Sequence, residues 1–280
     1  MFGTMNEIKS FNISAKNYKV GKNTKIGKNV NIKCDNFRLG DNCVIGDNVN
    51  IHCTSFIVGD NLFMWNGVEV GRGGSYGPNS EVIIGDNVGI FENTIINPSE
   101  KIIIGNNVGI GAEVMIWTHG AWLDVMQGFP ADFGPVTIGD NVWLPARSIV
   151  LPNVEIGDNT VIGIGSTVNK NIPSGCLAAG SPCKVIKENY YPKKLSSNEK
   201  LEIIDNVVKD YRRLAQHKSL VVDLEFTENV IILTHSDGDT VYDLKNRTMT
   251  GNINELSEDF RDYLRRRGIK IFTENPFKSI

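Results

Sequence analysis

Residues 137–168 read TIGDNVWLPARSIVLPNVEIGDNTVIGIGSTV, and their large aliphatics return on a strict count of six: Ile138, Leu144, Val150, Ile156, Ile162 and Val168. No α-helix has that period, and alternating strands have a period of two. A six-residue clock fits a solenoid with three flat parallel faces, in which each hexad supplies one short strand and one tight corner. Working outward, the same count places Val20, Ile26 and Ile32, then Leu39, Ile45 and Ile51, then Val58, Met64 and Val70 on three further triplets. Ile84, Ile90 and Ile96, followed by Ile104, Ile110 and Ile116, complete seven triplets and predict about seven coils.

A recurring phrase accompanies the clock: IGKN, LGDN, IGDN, VGDN, IGDN, IGNN, IGDN and IGDN, which accounts for many of the chain's 28 glycines. Gly, Asn and Asp suit corners because they tolerate positive φ or bond their own backbone. The fifth hexad position is small or β-branched, as at Thr24, Cys43, Val49, Thr94, Ser148 and Ser166, and is expected to point inward. Every residue in excess of eighteen per triplet falls after a third hexad, so the inserts at 71–82 and 117–136 are expected to project from one edge. Long inserts in an economical repeat are where function is usually mounted.

The 280 residues carry 29 Lys and Arg against 32 Asp and Glu, a formal charge of −3. Such a chain has no global positive field for nucleic acid or anionic lipid, so any anion site must be local. No apolar run approaches the roughly 18 residues of a membrane span, and 1–20 has no signal-peptide pattern, so the expectation is a cytoplasmic protein. The five cysteines form no CxxC pair and read as reduced thiols. After Val168 the clock stops, and from residue 188 the composition turns charged and helical. Ser196 to Glu199 reads as a capping box opening a helix with Leu201, Ile204, Val208, Tyr211 and Ala215 on one stripe. SLVVDLEF, NVIILT and TVYDL read as strands, 254–267 as a second helix and IKIFT as a last strand. The expected division is 1–187 and a small α+β appendage, 188–280.

Four histidines are present, and His119 stands where the regular coil gives way to the longest insert. A neutral imidazole there can take a proton from an alcohol or amine. His52 follows an inward isoleucine and is expected on the surface.

The stretch 137–187, with T-H at the start of the long insert, NVW before a hexad and AAGSPCKVIK at the end, resembles the hexapeptide-repeat acyltransferases. Among these it is most like the galactoside, maltose, nodulation, capsule and lipopolysaccharide O-acetyltransferases, and the resemblance covers 20–187. It implies a left-handed parallel β-helix, a homotrimer, and transfer from acetyl-coenzyme A with no metal. It makes His119 the general base that deprotonates the acceptor. It places the pantetheine arm at Ala146 and Ile164 with Trp143 flanking, and the phosphates at Lys170, Lys184 and Lys187. The acceptor falls to Asn93, with Trp122 and Asp124 in the insert. Two departures mark a different acceptor pocket. The family's P-L-D after the histidine is Gly120-Ala121-Trp122-Leu123-Asp124 here, and its N-x-N is Phe91-Glu92-Asn93.

The expected function is O-acetylation of a sugar or surface glycan in a ternary complex. Its rivals are an N-acyltransferase for a nucleotide-linked amino sugar and a non-catalytic trimeric scaffold. A carbonic anhydrase of the gamma class needs three converging imidazoles, and the repeat region holds only His52 and His119.

Overall fold

The computed structural model describes residues 11–71, 73, 77–236 and 238–275. The chain separates into two compact units, 1–192 and 193–280.

The first unit is a parallel β-solenoid in which equivalent hexads lie directly over one another. On the first face Leu39, Val58, Ile84, Ile104, Ile138 and Ile156 occupy successive strands. On the second, Ile26, Ile45, Met64, Ile90, Ile110 and Leu144 do the same. On the third, the register runs Ile32, Ile51, Val70, Ile96, Ile116, Val150 and Val168. Apart from Ile26, which is partly buried, these columns are buried and form one continuous core. Of the small fifth-position residues, Cys43, Val49, Thr94, Ser148 and Ser166 are buried as expected, and Thr24 is half-buried.

The solenoid runs past the seven triplets at both ends. Strand Phe11–Val20 pairs in register with Val30–Leu39, so residues 11–15 add a rung before the first counted hexad. It escapes the glycine phrase because the corner at 16–17 is turned without glycine. At the other end Ile172 bridges to Ile156 and Leu177–Ala179 pairs with Val161–Ile162, through a Pro-Ser-Gly corner. Val20, assigned to the interior, is 37% exposed because it lies in the outermost strand described.

Corner chemistry differs from the expectation in one respect. The asparagine in fourth position does take positive φ, at 57° in Asn42 and Asn141 and 55° in Asn107 and Asn159. The Asp or Asn before it, however, bonds the neighbouring rung and not its own backbone. At the first corner Asp41 accepts from Lys22 N, Asp60 from Asp41 N, Asp86 from Asp60 N, Asn106 from Asp86 N, Asp140 from Asn106 N and Asp158 from Asp140 N, at 2.6–2.8 Å. The glycine at this corner is there for close approach. A Cβ on Gly105 would strike the Asp140 carboxylate, and one on Gly139 that of Asp158.

The second unit holds helix α1, Ser197–His217, an antiparallel four-stranded meander and helix α2, Glu255–Arg266. The Ser196 and Glu199 capping box is formed, and Ile204, Val208, Tyr211 and Ala215 are buried on one stripe. Tyr211 packs on Phe260 of α2 with ring centroids 4.5 Å apart. One expectation fails. The fourth strand is Thr248–Gly251, and 269–273 is not a strand. Ile271 plugs the core and Phe272 N bonds Arg247 O, but 269–273 forms no strand, so alternation there reflects burial.

Replacing Asp140 by Ala removes the acceptor for Asn106 N and is expected to cost about 1–3 kcal/mol in urea unfolding. Asp140→Asn keeps an acceptor and should lose much less; equal losses would deny the ladder its role.

Candidate active site

The third corner carries the long insert and positions His119. Trp117 ends a third-face strand in register with Asn97, and Thr118 turns inward and is fully buried. Its hydroxyl donates to Asn97 O at 2.8 Å and accepts from Glu100 N at 3.0 Å, tying the start of the insert to the preceding rung. The chain then leaves as a hairpin, with His119–Ala121 antiparallel to Ala131–Phe133. Its base is closed by Gly134 N to Thr118 O and by the Asn153 side-chain amide to Phe133 O at 3.2 Å.

The His119 ring is held between two aromatics. It stacks on Phe133, its cross-strand partner, at 5.8 Å and meets Trp117 edge-on at 6.1 Å. Its Nδ1 is buried and has no hydrogen-bond partner among the described residues. A buried ring nitrogen without a partner is costly, and such groups concentrate where chemistry occurs.

Past His119 every residue from 120 to 133, the hairpin strands included, is exposed, Trp122 by 95%. Asp124 caps the short turn Val125–Gln127. Its carboxylate accepts from Met126 N at 2.9 Å and from the Gln127 amide at 3.1 Å, and so shapes the loop. Of the shorter insert, Arg72, Gly74, Ser75 and Tyr76 lie outside the described residues. Both inserts leave from the same edge, since Gly71 and Trp117 follow the in-register residues Val70 and Ile116.

The remaining candidates gather at other places. Ala146 and Ile164 stand on successive rungs of the second corner, joined by Gly165 N to Ala146 O at 3.1 Å. Trp143 leads into this corner, 41% exposed, with its indole lying across Gly109, where a Cβ would meet the ring at 2.5 Å. The Asx ladder of this corner is present early, with Lys28 N to Asp47 at 2.7 Å and Asp47 N to Asn66 at 2.7 Å. It then stops, because the equivalent positions become Glu92, Ala112, Ala146 and Ile164. The N–H groups of Ala146 and Ile164 consequently have no acceptor among the described residues. Asn93 lies on the same corner at φ 56°, and its side chain packs over Gly67. Lys184 and Lys187 are on the closing strand, Lys187 over the Tyr190 ring at 4.4 Å, and Lys170 is exposed after the last regular hexad.

Within one chain, then, His119 and the Trp143, Ala146 and Ile164 group occupy opposite ends of the third face. A strand of about five residues, roughly 16 Å, separates them. Asn93 lies at the far end too, and it is Asn97 that stands beside Trp117. Sequence reasoning missed Asn97 and quoted Thr118 only as part of the T-H motif, without a role, although adding the hexad register to the position of His119 would have placed both. It also missed the pair Arg147 and Glu113 at 2.7 Å, which bridges two rungs of the second corner.

Among the described residues no three His, Cys, Asp or Glu side chains are grouped to hold a metal ion. No described helix is long and apolar enough to cross a membrane. Burial pushes the Cys43 thiol up to about 11, away from the thiolate a nucleophile needs.

A solenoid of in-register hexads with an aromatic-flanked histidine at its longest insert defines a class of hexapeptide-repeat protein. Residues 135–170 match the family model described as bacterial transferase hexapeptide (six repeats), and residues 19–53 match that of the hexapeptide repeat of succinyl-transferase. Galactoside O-acetyltransferase of Escherichia coli is 56% identical over 54 residues, 19% of this chain and 27% of its own. The Saccharomyces cerevisiae protein YJL218W, provisionally named an acetyltransferase, is 45% identical over 116 residues, 40% of this chain and 58% of its own. The chain thus spans less than two thirds of the curated relatives it matches. A solved galactoside acetyltransferase in complex with coenzyme A is 32% identical over 50% of this chain and 72% of that one. Its TM-score of 0.38 is too low to speak for overall shape. The chain belongs to the hexapeptide-repeat transferase family.

Replacing Thr118 by Val keeps its volume but strands Glu100 N. The expected cost is about 1–3 kcal/mol, with faster amide exchange confined to the hairpin of His119. Unchanged exchange there would mean that Thr118 does not hold the histidine.

Proposed function

We propose that this protein transfers an acetyl group from acetyl-coenzyme A to a hydroxyl of a sugar or surface glycan, with His119 as general base. The observation that carries the reading is the second corner, where the ladder of acceptors ends and leaves the N–H groups of Ala146 and Ile164 open beside Trp143. Those donors suit the amide carbonyls of a pantetheine arm. Lys170, Lys184 and Lys187 supply cations for its phosphates in a chain that is acidic overall.

In the proposed step the His119 imidazole takes the acceptor's hydroxyl proton while the oxygen attacks the thioester carbonyl. The carbon–sulfur bond breaks, the coenzyme leaves as thiolate, and the imidazolium returns the proton to sulfur. Its stacking on Phe133 and its edge-on contact with Trp117 hold the ring's plane, which is the positional part of such catalysis. Backbone donors would meet the oxyanion. Because His119 and the coenzyme corner lie at opposite ends of one face, a complete site requires a neighbouring copy, in keeping with the homotrimer that the resemblance implies. The exposed aromatic rim, Trp122 and Phe129, with the Asp124-capped turn, would then cover the acceptor or the neighbour. Asn93 would reach an acceptor from the neighbour's corner. A cytoplasmic location fits a donor made there.

Thiol release from acetyl-coenzyme A in the presence of mixed sugars tests the reading. His119→Ala is expected to lose roughly 10²–10⁴-fold in transfer with coenzyme A binding intact. Turnover at the wild-type rate would move the base elsewhere, and no thiol release from the wild type with any hydroxyl acceptor would favour a scaffold. Lys184→Ala should weaken coenzyme A more than its dephospho form, and equal weakening would remove Lys184 from the phosphate site.

A further inference from the structure

The third face changes character along its length. Its first outward row runs in register through Asn12, Asn31, Asn50 and Glu69, then through Ile95, Met115 and Ile149. The second row runs Ser14, Lys33 and His52; it continues by way of Gly71, whose N–H bonds Ile96 O, and the buried Asn97 to Trp117, two residues before His119. Between the two rows, over the first three rungs, lies a groove of about 370 Å³. Among the described residues its walls are amides, a hydroxyl, Lys33 and His52, without a carboxylate.

We propose that this groove binds an acidic glycan chain and leads it toward His119, so that the acceptor is a polymer held away from the reacting hydroxyl. The proposal rests on the acetyltransferase reading for the role of His119. Rungs repeat every ~4.8 Å, close to the length of one sugar unit, so each rung offers an equivalent amide and polar partner to successive sugars. Asn31 already donates to Asn50 across rungs at 3.3 Å, an amide row whose free valences face outward. Lys33 has no ion-pair partner among the described residues, in a chain whose net charge would otherwise repel an anion. From His52 to Trp117 is three rungs, roughly 14 Å, a span that a short oligosaccharide covers and a single sugar does not. The apolar half of the face, Ile95, Met115 and Ile149, is suited to a second protein copy. The polar half carries an exposed lysine, a residue that protein interfaces deplete at their centres.

Oligogalacturonates and malto-oligosaccharides of increasing length, titrated into the full chain by calorimetry alongside coenzyme A, test this. Acidic oligomers are expected to bind, more tightly with length until the span to His119 is filled. Lys33→Glu should weaken them about tenfold, the worth of one hydrogen bond to a charged group. Lys22→Glu, an equal charge change at a corner outside the groove, should leave binding unchanged. Asn50→Ala provides a second, milder loss should Lys33→Glu misfold. Binding of coenzyme A without any oligosaccharide would overturn the groove and spare the acetyltransferase reading. Oligosaccharide binding without coenzyme A would do the reverse. Equal binding of neutral oligomers, or a Lys33→Glu variant that falls to monomers by light scattering, would also overturn it, the latter by giving the face to a second copy.

Discussion

The bond from each first-corner amide to the aspartate or asparagine of the next rung is the constraint on which the rest of this solenoid depends. It satisfies a donor that a tight corner would otherwise leave without a partner, and it does so only if the next rung lies directly above. That requirement sets the register, and the register stacks the isoleucine columns into one core. It also explains the glycine beside each such residue. Gly105 and Gly139 are small because the acceptor of the following rung occupies the volume of a Cβ.

The three corners are not equivalent, and their differences organise the molecule. The first keeps its ladder from Asp41 to Asp158 and tolerates almost no insertion. The third has no comparable ladder; Thr54 and Thr118 turn it through other bonds. Extra residues there break no axial bond, which is why both long inserts leave from it. The second corner begins with the ladder and loses it after Asn66, exchanging internal satisfaction of its N–H groups for open donors at Ala146 and Ile164. A device that pairs the N–H groups in the early rungs gives way to a row of open donors in the later ones, with one or two side chains changed per rung.

The same economy governs the third face. Its inward column is uniformly aliphatic, since the core demands it at every rung, but its outward rows answer only to what touches them. Amides, Lys33 and His52 occupy the early rungs and Ile95, Met115 and Ile149 the later ones, and the His119 hairpin stands at the end of the second row. The second unit follows ordinary rules. A capped amphipathic helix lays Tyr211 on Phe260 and closes over a meander, with Arg261 buried against Glu258 at 2.6 Å.

By itself the sequence determined the solenoid, because a six-residue period of large aliphatics has no other regular solution, and it determined where the inserts leave. It also singled out His119 and, through the capping box and the stripe from Ile204 to Ala215, the first helix of the appendage. It did not determine the end rungs, where glycine-free corners interrupt the phrase while the register carries on. Nor did it separate the alternation of Thr248–Gly251, which pairs, from that of 269–273, which only buries Ile271. Only the tertiary structure decided what each corner residue bonds to, that Asn97 and not Asn93 stands beside the histidine, and that the coenzyme candidates lie a full face away from it. These are relations between rungs nineteen to thirty-four residues apart. A linear pattern can state that two residues share a position in the repeat, but which atom meets which is set by how the coils stack.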